Sequence, residues 1–146
     1  MDKLTGRCLC EAIVYEISGA IGPIFNCHCS KCRRWHGAAF RTRASVETKN
    51  FKWIKGEEHL SRYNSSTNVI KTFCSICGSS LASFYENNLH FIGLPLGGLE
   101  QAPKNRPQAH IFVASKAPWY EITDGLPQYD ELPPDGLASV IFAAAQ

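Results

Sequence analysis

The sequence predicts a mainly β fold of antiparallel strands. Three observations carry this. Short apolar runs recur along the chain, Gly, Pro, Asn and Ser break them at short intervals, and no long helical period occurs before residue 130. The first run, EAIVYEI (11–17), alternates with Ile13, Tyr15 and Ile17 on one face, as a half-buried strand requires. GPIFNCHC (22–29), AAFRTRA (38–44), NFKWIKG (50–56), HLSRY (59–63), VIKTFC (69–74), SLASFYE (80–86), LHFIGLPL (89–96) and AHIFV (109–113) follow with strand length and strand composition. After Asp135 the tail could begin a short helix, although Gly136 weakens it.

A chain of 146 residues is most simply one domain, 1–146, able to bury roughly 70% of its extended-chain surface. With 45% hydrophobic and 19% charged residues it has the composition of a folded globular protein. MDKLTGRCLC contains no apolar run of signal-peptide type, and LASVIFAAA is about half of a membrane span. The expectation is a cytoplasmic protein without a membrane partner, a compartment in which disulfides are rarely kept. The formal charge is +2, and KCRR (31–34) and RTR (41–43) are the nearest approach to basic clusters, so nucleic acid is not the expected partner. The oligomeric state is not legible in the sequence.

The seven cysteines are grouped: Cys8 and Cys10, then Cys27, Cys29 and Cys32, then Cys74 and Cys77. An odd number leaves one thiol over in a scheme of disulfides alone. Thiolates are strong ligands for zinc, which favours four of them in a tetrahedron. On a strand, residues two apart point the same way, so Cys8 and Cys10 can aim together, as can Cys27 and Cys29. A Cys-x-x-Cys pair over a tight turn converges too; Cys74 and Cys77 fit, with Gly78 to permit the turn. Two pairs (Cys8, Cys10, Cys74 and Cys77) make a closed structural zinc site, and Cys27, Cys29 and Cys32 leave a fourth position open, the layout of a catalytic zinc. Alternatives are a redox Cys-x-x-Cys pair, or His28 or His36 completing a second closed site. Which clusters meet is a matter for the tertiary structure.

CLC, CHCSKCR, FCSICGSSL and HIFVASKAPWYEITDGLPQY, in this order, resemble the glutathione-dependent formaldehyde-activating enzyme family, also named with centromere protein V. The resemblance runs from about Arg7 to about Pro133. It implies a β-tent fold, in which β-sheets meet at a metal site, and two zinc ions per chain. Cys8, Cys10, Cys74 and Cys77 match the structural ligands, and Cys27, Cys29 and Cys32 match the catalytic ones. The implied activity is that of a carbon–sulfur lyase or synthase acting on a small thiol adduct, joining formaldehyde to glutathione as S-(hydroxymethyl)glutathione. Two positions depart from the family's pattern. Glu11 stands where Gly is common after the first Cys-x-Cys, and Lys71 where Arg is common before Phe73-Cys74.

Around the three-cysteine centre, His36 could relay a proton. Arg34 and Lys116 could meet a substrate carboxylate, and Trp119 could wall a pocket. His110 reads as structural. The alternative to an enzyme is a zinc-stabilised binding module without catalysis. The division of the cysteines predicts that Cys74→Ser mainly damages folding and Cys29→Ser mainly damages activity. Equal losses of thermal stability in the two variants would contradict it.

Overall fold

The computed structural model describes residues 3–134. The short helix expected after Asp135 lies outside the described residues. The strands are β1 (Lys3–Arg7), β2 (Val14–Ser18), β3 (Ile24–Cys27), β4 (Arg41–Glu47), β5 (Phe51–Lys55), β6 (Leu60–Ser66), β7 (Val69–Cys74), β8 (Ser80–Tyr85), β9 (Phe91–Pro95) and β10 (Ala109–Ile111). They form a three-stranded sheet, β1-β2-β5, and a seven-stranded sheet, β10-β3-β4-β9-β8-β7-β6. Every pairing is antiparallel except β3 with β10, where Phe25 to Cys27 run parallel to Ala109 to Ile111. The mainly β architecture expected from the sequence is thus present.

The alternation read from residues 11–17 has its physical outcome in the core. Ile13, Tyr15 and Ile17 are all buried and meet Ala44, Val46, Leu81, Ala82, Ile92 and Leu94 of the larger sheet. On the large sheet the alternating polar residues Arg41, Arg43, Ser45 and Ser83 are buried too, on the opposite face. A second, smaller cluster gathers Phe25, Cys27, Cys32, Ala109 and Ile111, with Phe112, Tyr129 and Leu132 against it. The β3–β10 pairing therefore roofs the three-cysteine segment with the C-terminal part of the described chain.

One α-helix occurs among the described residues, α1 (Ser30–His36), besides short 3-10 turns. Seven residues are too few to show a period in the sequence, but both ends carry chemical signals. Cys29 is the N-cap, its sulfur accepting from the Cys32 N–H, and Gly37 closes the helix in the left-handed conformation. The expectation that Cys27 and Cys29 share a strand face is therefore replaced by a strand end followed by a helix cap. Similarly, β1 ends at Arg7, so Cys8 and Cys10 lie on a turn and not on a strand. Among the described residues no helix is long and apolar enough to cross a membrane.

Gly56 fixes how β5 leaves the small sheet. Its φ is +84°, and a Cβ there would stand 1.9 Å from the Ala12 carbonyl oxygen. Neither the backbone nor the neighbour can yield without moving β2. Gly56→Ala should therefore cost roughly 2–4 kcal/mol in urea unfolding. A loss under about 0.5 kcal/mol would show that the approach of β5 to Ala12 is dispensable.

Candidate metal centre

Both arms of the first cysteine cluster are hairpin tips. Cys8 and Cys10 lie on the turn joining β1 to β2, while Cys74 ends β7 and Cys77 lies on the turn joining β7 to β8. In the first turn Cys8 N–H donates to the Ile13 carbonyl and Glu11 N–H to the Cys8 carbonyl. Glu11 has φ +68°, a conformation in which glycine is unstrained, which gives the family's preference at this position a backbone cause. In the second turn Gly78 N–H donates to the Cys74 carbonyl at 2.8 Å, and Gly78 takes the positive φ that the knuckle needs. Leu9 N–H reaches across to Ser79 Oγ at 2.8 Å, tying one tip to the other.

The four sulfurs lie within 4.8 Å of one another. Cys8 and Cys10 Sγ are 3.7 Å apart, and Cys10 and Cys74 Sγ are 3.8 Å apart. A tetrahedral ion with sulfur ligands at about 2.3 Å places those sulfurs about 3.8 Å from one another, the separation that these two pairs show. Disulfide bonding would need sulfurs about 2 Å apart, and all seven cysteines are free. Ile13 N–H donates to Cys8 Sγ at 3.3 Å. Ser79 Oγ lies 3.2 Å from Cys77 Sγ and is the first cause that brings the Cys77 thiol down to about 5.

The second cluster, Cys27, Cys29 and Cys32, also keeps its sulfurs within 4.8 Å. Cys27 ends β3, Cys29 caps α1 and Cys32 sits in its first turn, where its N–H donates to Cys29 Sγ at 3.4 Å. Among the described residues no His, Cys, Asp or Glu joins these three. Hydrogen bonds to Cys29 and Cys32, with burial, push the Cys27 thiol well up. The Cys32 thiol is pulled down, first by hydrogen bonds from Cys27 and Cys29 and then, against burial, by the charges of Arg41 and Lys71. The donor set suits a soft or borderline divalent metal with one position left for an outside ligand.

His28 turns away from its flanking cysteines. It is fully buried, and its Nε2 lies 2.8 Å from His110 Nδ1. His110 Nε2 in turn lies 3.1 and 3.0 Å from the two carboxylate oxygens of Asp124. A carboxylate only accepts, so His110 carries a proton on Nε2. Burial first, then the charges of His110 and Lys116, lower His28 to about 4, so it is neutral at pH 7. His28 N–H also donates to the Ile111 carbonyl. His110 is thus structural in a definite sense: it links the surface residue Asp124 to the segment that carries Cys27 and Cys29.

The remaining expected site residues separate. Arg34 is exposed on α1, and Trp119 is 71% exposed. Lys116 Nζ donates to the carbonyls of Ala117 and Tyr120, closing its own turn. None of the three lines the cleft of about 770 Å³ that runs past Cys8, Ser79, Trp35, His36 and Arg41. His36 does line it, with Nε2 unpartnered, and burial followed by the Arg41 charge lowers it to about 4.

The residues that sequence reading missed are Arg41, Arg43 and Lys71, all buried. The register places Arg41 opposite Cys27 and Lys71 opposite Ser83. Arg41 Nη2 donates to Ser83 Oγ and the Gly93 carbonyl, and Arg43 Nη2 to the Ala44 carbonyl and Ser45 Oγ. Trp35 of α1 covers them, its ring centroid 5.1 Å from the Arg41 guanidinium and 4.5 Å from Lys71 Nζ. Burial, then Arg41, brings Lys71 down to about 8.

The clamp from Asp124 through His110 to His28 gives a prediction about metal retention. In Asp124→Asn, one of two bound metals should leave to a chelator about ten-fold faster, and the other at the original rate. Equal acceleration at both centres, or none at either, would contradict a role specific to the three-cysteine segment.

Comparison with known proteins agrees with this architecture. The family model described as "Glutathione-dependent formaldehyde-activating enzyme" matches residues 3–115. An uncharacterized lyase of Schizosaccharomyces pombe is 30% identical over 94 residues, 63% of this chain; the chain spans 66% of that relative's length. A Rhodobacter sphaeroides protein of known crystal structure superposes with a TM-score of 0.58 at 25% identity, over 68% of this chain and 91% of its own. With two cysteine clusters of metal-binding geometry on two β-sheets, and a family match across most of its length, the chain belongs to the glutathione-dependent formaldehyde-activating enzyme family.

Proposed function

We propose that this single-domain protein is a zinc-dependent carbon–sulfur lyase or synthase of a small thiol adduct, with S-(hydroxymethyl)glutathione as the leading product. The observation that carries this reading is the incomplete ligand set of Cys27, Cys29 and Cys32, beside a complete one at Cys8, Cys10, Cys74 and Cys77. The complete set would hold a structural zinc between the two hairpin tips. The incomplete set would hold a second zinc, and an open-position zinc supplies a docking point at which a thiol loses its proton near neutral pH.

The chain's own residues supply the rest. Arg41 and Lys71 put positive charge beside Cys32, which favours anionic sulfur in the centre. The clamp on His28 anchors the residue that stands between Cys27 and Cys29. Uncatalysed addition of a thiol to formaldehyde is already facile, so orientation and a ready thiolate suffice. In the forward direction a carbon–sulfur bond forms at the carbonyl carbon, and the thiol's proton ends on the new hydroxyl oxygen. In reverse the same bond breaks, and both fragments are recovered.

The test is exchange between formaldehyde, glutathione and their adduct, followed by NMR at equilibrium. The wild-type chain should accelerate exchange over the spontaneous rate, and Cys29→Ser should lose at least about ten-fold of that acceleration. Metal content measured alongside should fall from two to one per chain on dialysis against glutathione with a mild chelator. Retention of both metals with no acceleration would favour the binding module.

A further inference from the structure

The four-cysteine centre has an inner and an outer side. Cys8 and Cys74 are 1% and 0% exposed and belong to the main core. Cys77 is half-buried, and Cys10 alone among the seven cysteines is exposed. The three-cysteine centre offers no such sulfur, since Cys27 and Cys32 are buried and Cys29 is half-buried. The outer pair also takes one member from each hairpin tip: Cys10 from the β1–β2 turn and Cys77 from the β7–β8 turn. Their sulfurs lie within 4.8 Å of each other. Closing that gap to the roughly 2 Å of a disulfide asks for side-chain rotation on the solvent side of two turns. The competing pairs are worse placed. Cys8 with Cys10 would close a very short ring, and Cys74 with Cys77 needs a buried sulfur and would leave the tips unjoined.

We infer that the four-cysteine centre is a peroxide-sensitive switch, in which Cys10 and Cys77 close to a disulfide and the centre gives up its metal. This is independent of the lyase reading, because it uses neither the three-cysteine centre nor a substrate. One outer thiolate attacks a hydroperoxide; the O–O bond breaks, hydroxide leaves, and the sulfur becomes a sulfenic acid. The other outer thiolate attacks that sulfur, an S–S bond forms, and the second hydroxide leaves. Two thiolates thus lose two electrons and one peroxide gains them. The product is the same whichever sulfur reacts first. Cys8 and Cys74 remain, two ligands where a closed tetrahedral site needs four, and they take up protons as the ion is lost. The new bond spans the same two turns as the metal did, beside the Leu9 N–H to Ser79 Oγ hydrogen bond, so the sheets stay joined in the oxidised form.

The test uses the zinc-loaded full chain and a stoichiometric amount of hydrogen peroxide. Released zinc is read with a chromogenic chelator, and the disulfide is located by mass spectrometry of peptides cut without reduction. About one zinc per chain should leave, with the Cys10 and Cys77 peptides cross-linked, and dithiothreitol with added zinc should reverse both. Before oxidation, N-ethylmaleimide should label Cys10 at least about ten-fold faster than any other cysteine. Cys10→Ser with native circular dichroism should lose zinc to peroxide at least about ten-fold more slowly. A first disulfide at any other pair, zinc loss without a disulfide, or a Cys10–Cys77 disulfide with the zinc retained overturns the switch. So does a chain that holds no zinc at this centre. The peptide map of the wild type decides the matter even if the variant does not fold.

Discussion

The meeting of two hairpin tips organises this protein. The β1–β2 turn belongs to the small sheet and the β7–β8 turn to the large one, and each brings two thiols to one point. More than sixty residues separate the two turns, so the closure spans a long loop with a correspondingly large entropic cost. A four-thiolate metal site offsets a cost of that kind directly, because ligand binding at such a site is folding free energy. Leu9 N–H to Ser79 Oγ and the buried face of Ile13, Tyr15 and Ile17 hold the same junction by ordinary means. Once the sheets are pinned there, the outer face of the large sheet is free to carry the second centre.

That second centre is assembled from different materials. Its ligands sit at a strand end and a helix cap, its roof is a parallel strand, and its floor is a row of buried cations. The cations and the thiols need one another electrostatically. Thiolates in a dry pocket are unfavourable alone, and so are guanidinium groups; side by side each lowers the cost of the other. Trp35 is central because it covers Arg41 and Lys71 without neutralising either.

Much of the framework was legible in the residues. Alternation at Ile13, Tyr15 and Ile17 gave a strand with a buried face, and the cysteine spacing grouped the seven thiols into the two clusters observed. The local mechanism of grouping was only partly legible. Cys8 and Cys10 converge through a turn with a left-handed Glu11, and Cys27 and Cys29 through a strand end and a helix cap. Cys29 and Gly37, cap residues eight positions apart around the helix, were the available signals for α1, and seven residues are too few for periodicity to reveal it.

The sequence by itself determined the strands and the grouping of the cysteines, because strand patterning and thiol spacing are properties of neighbouring residues. Only the tertiary structure decided what surrounds the ligands. Arg41 and Arg43 read in sequence as ordinary solvated charges; they are buried because the β3–β4 register places Arg41 opposite Cys27 and α1 closes over that face. The chain from Asp124 through His110 to His28 joins residues 14 and 82 positions apart. No local pattern encodes such contacts. They arise when strand order, register and the parallel β3–β10 pairing bring distant side chains within hydrogen-bonding distance.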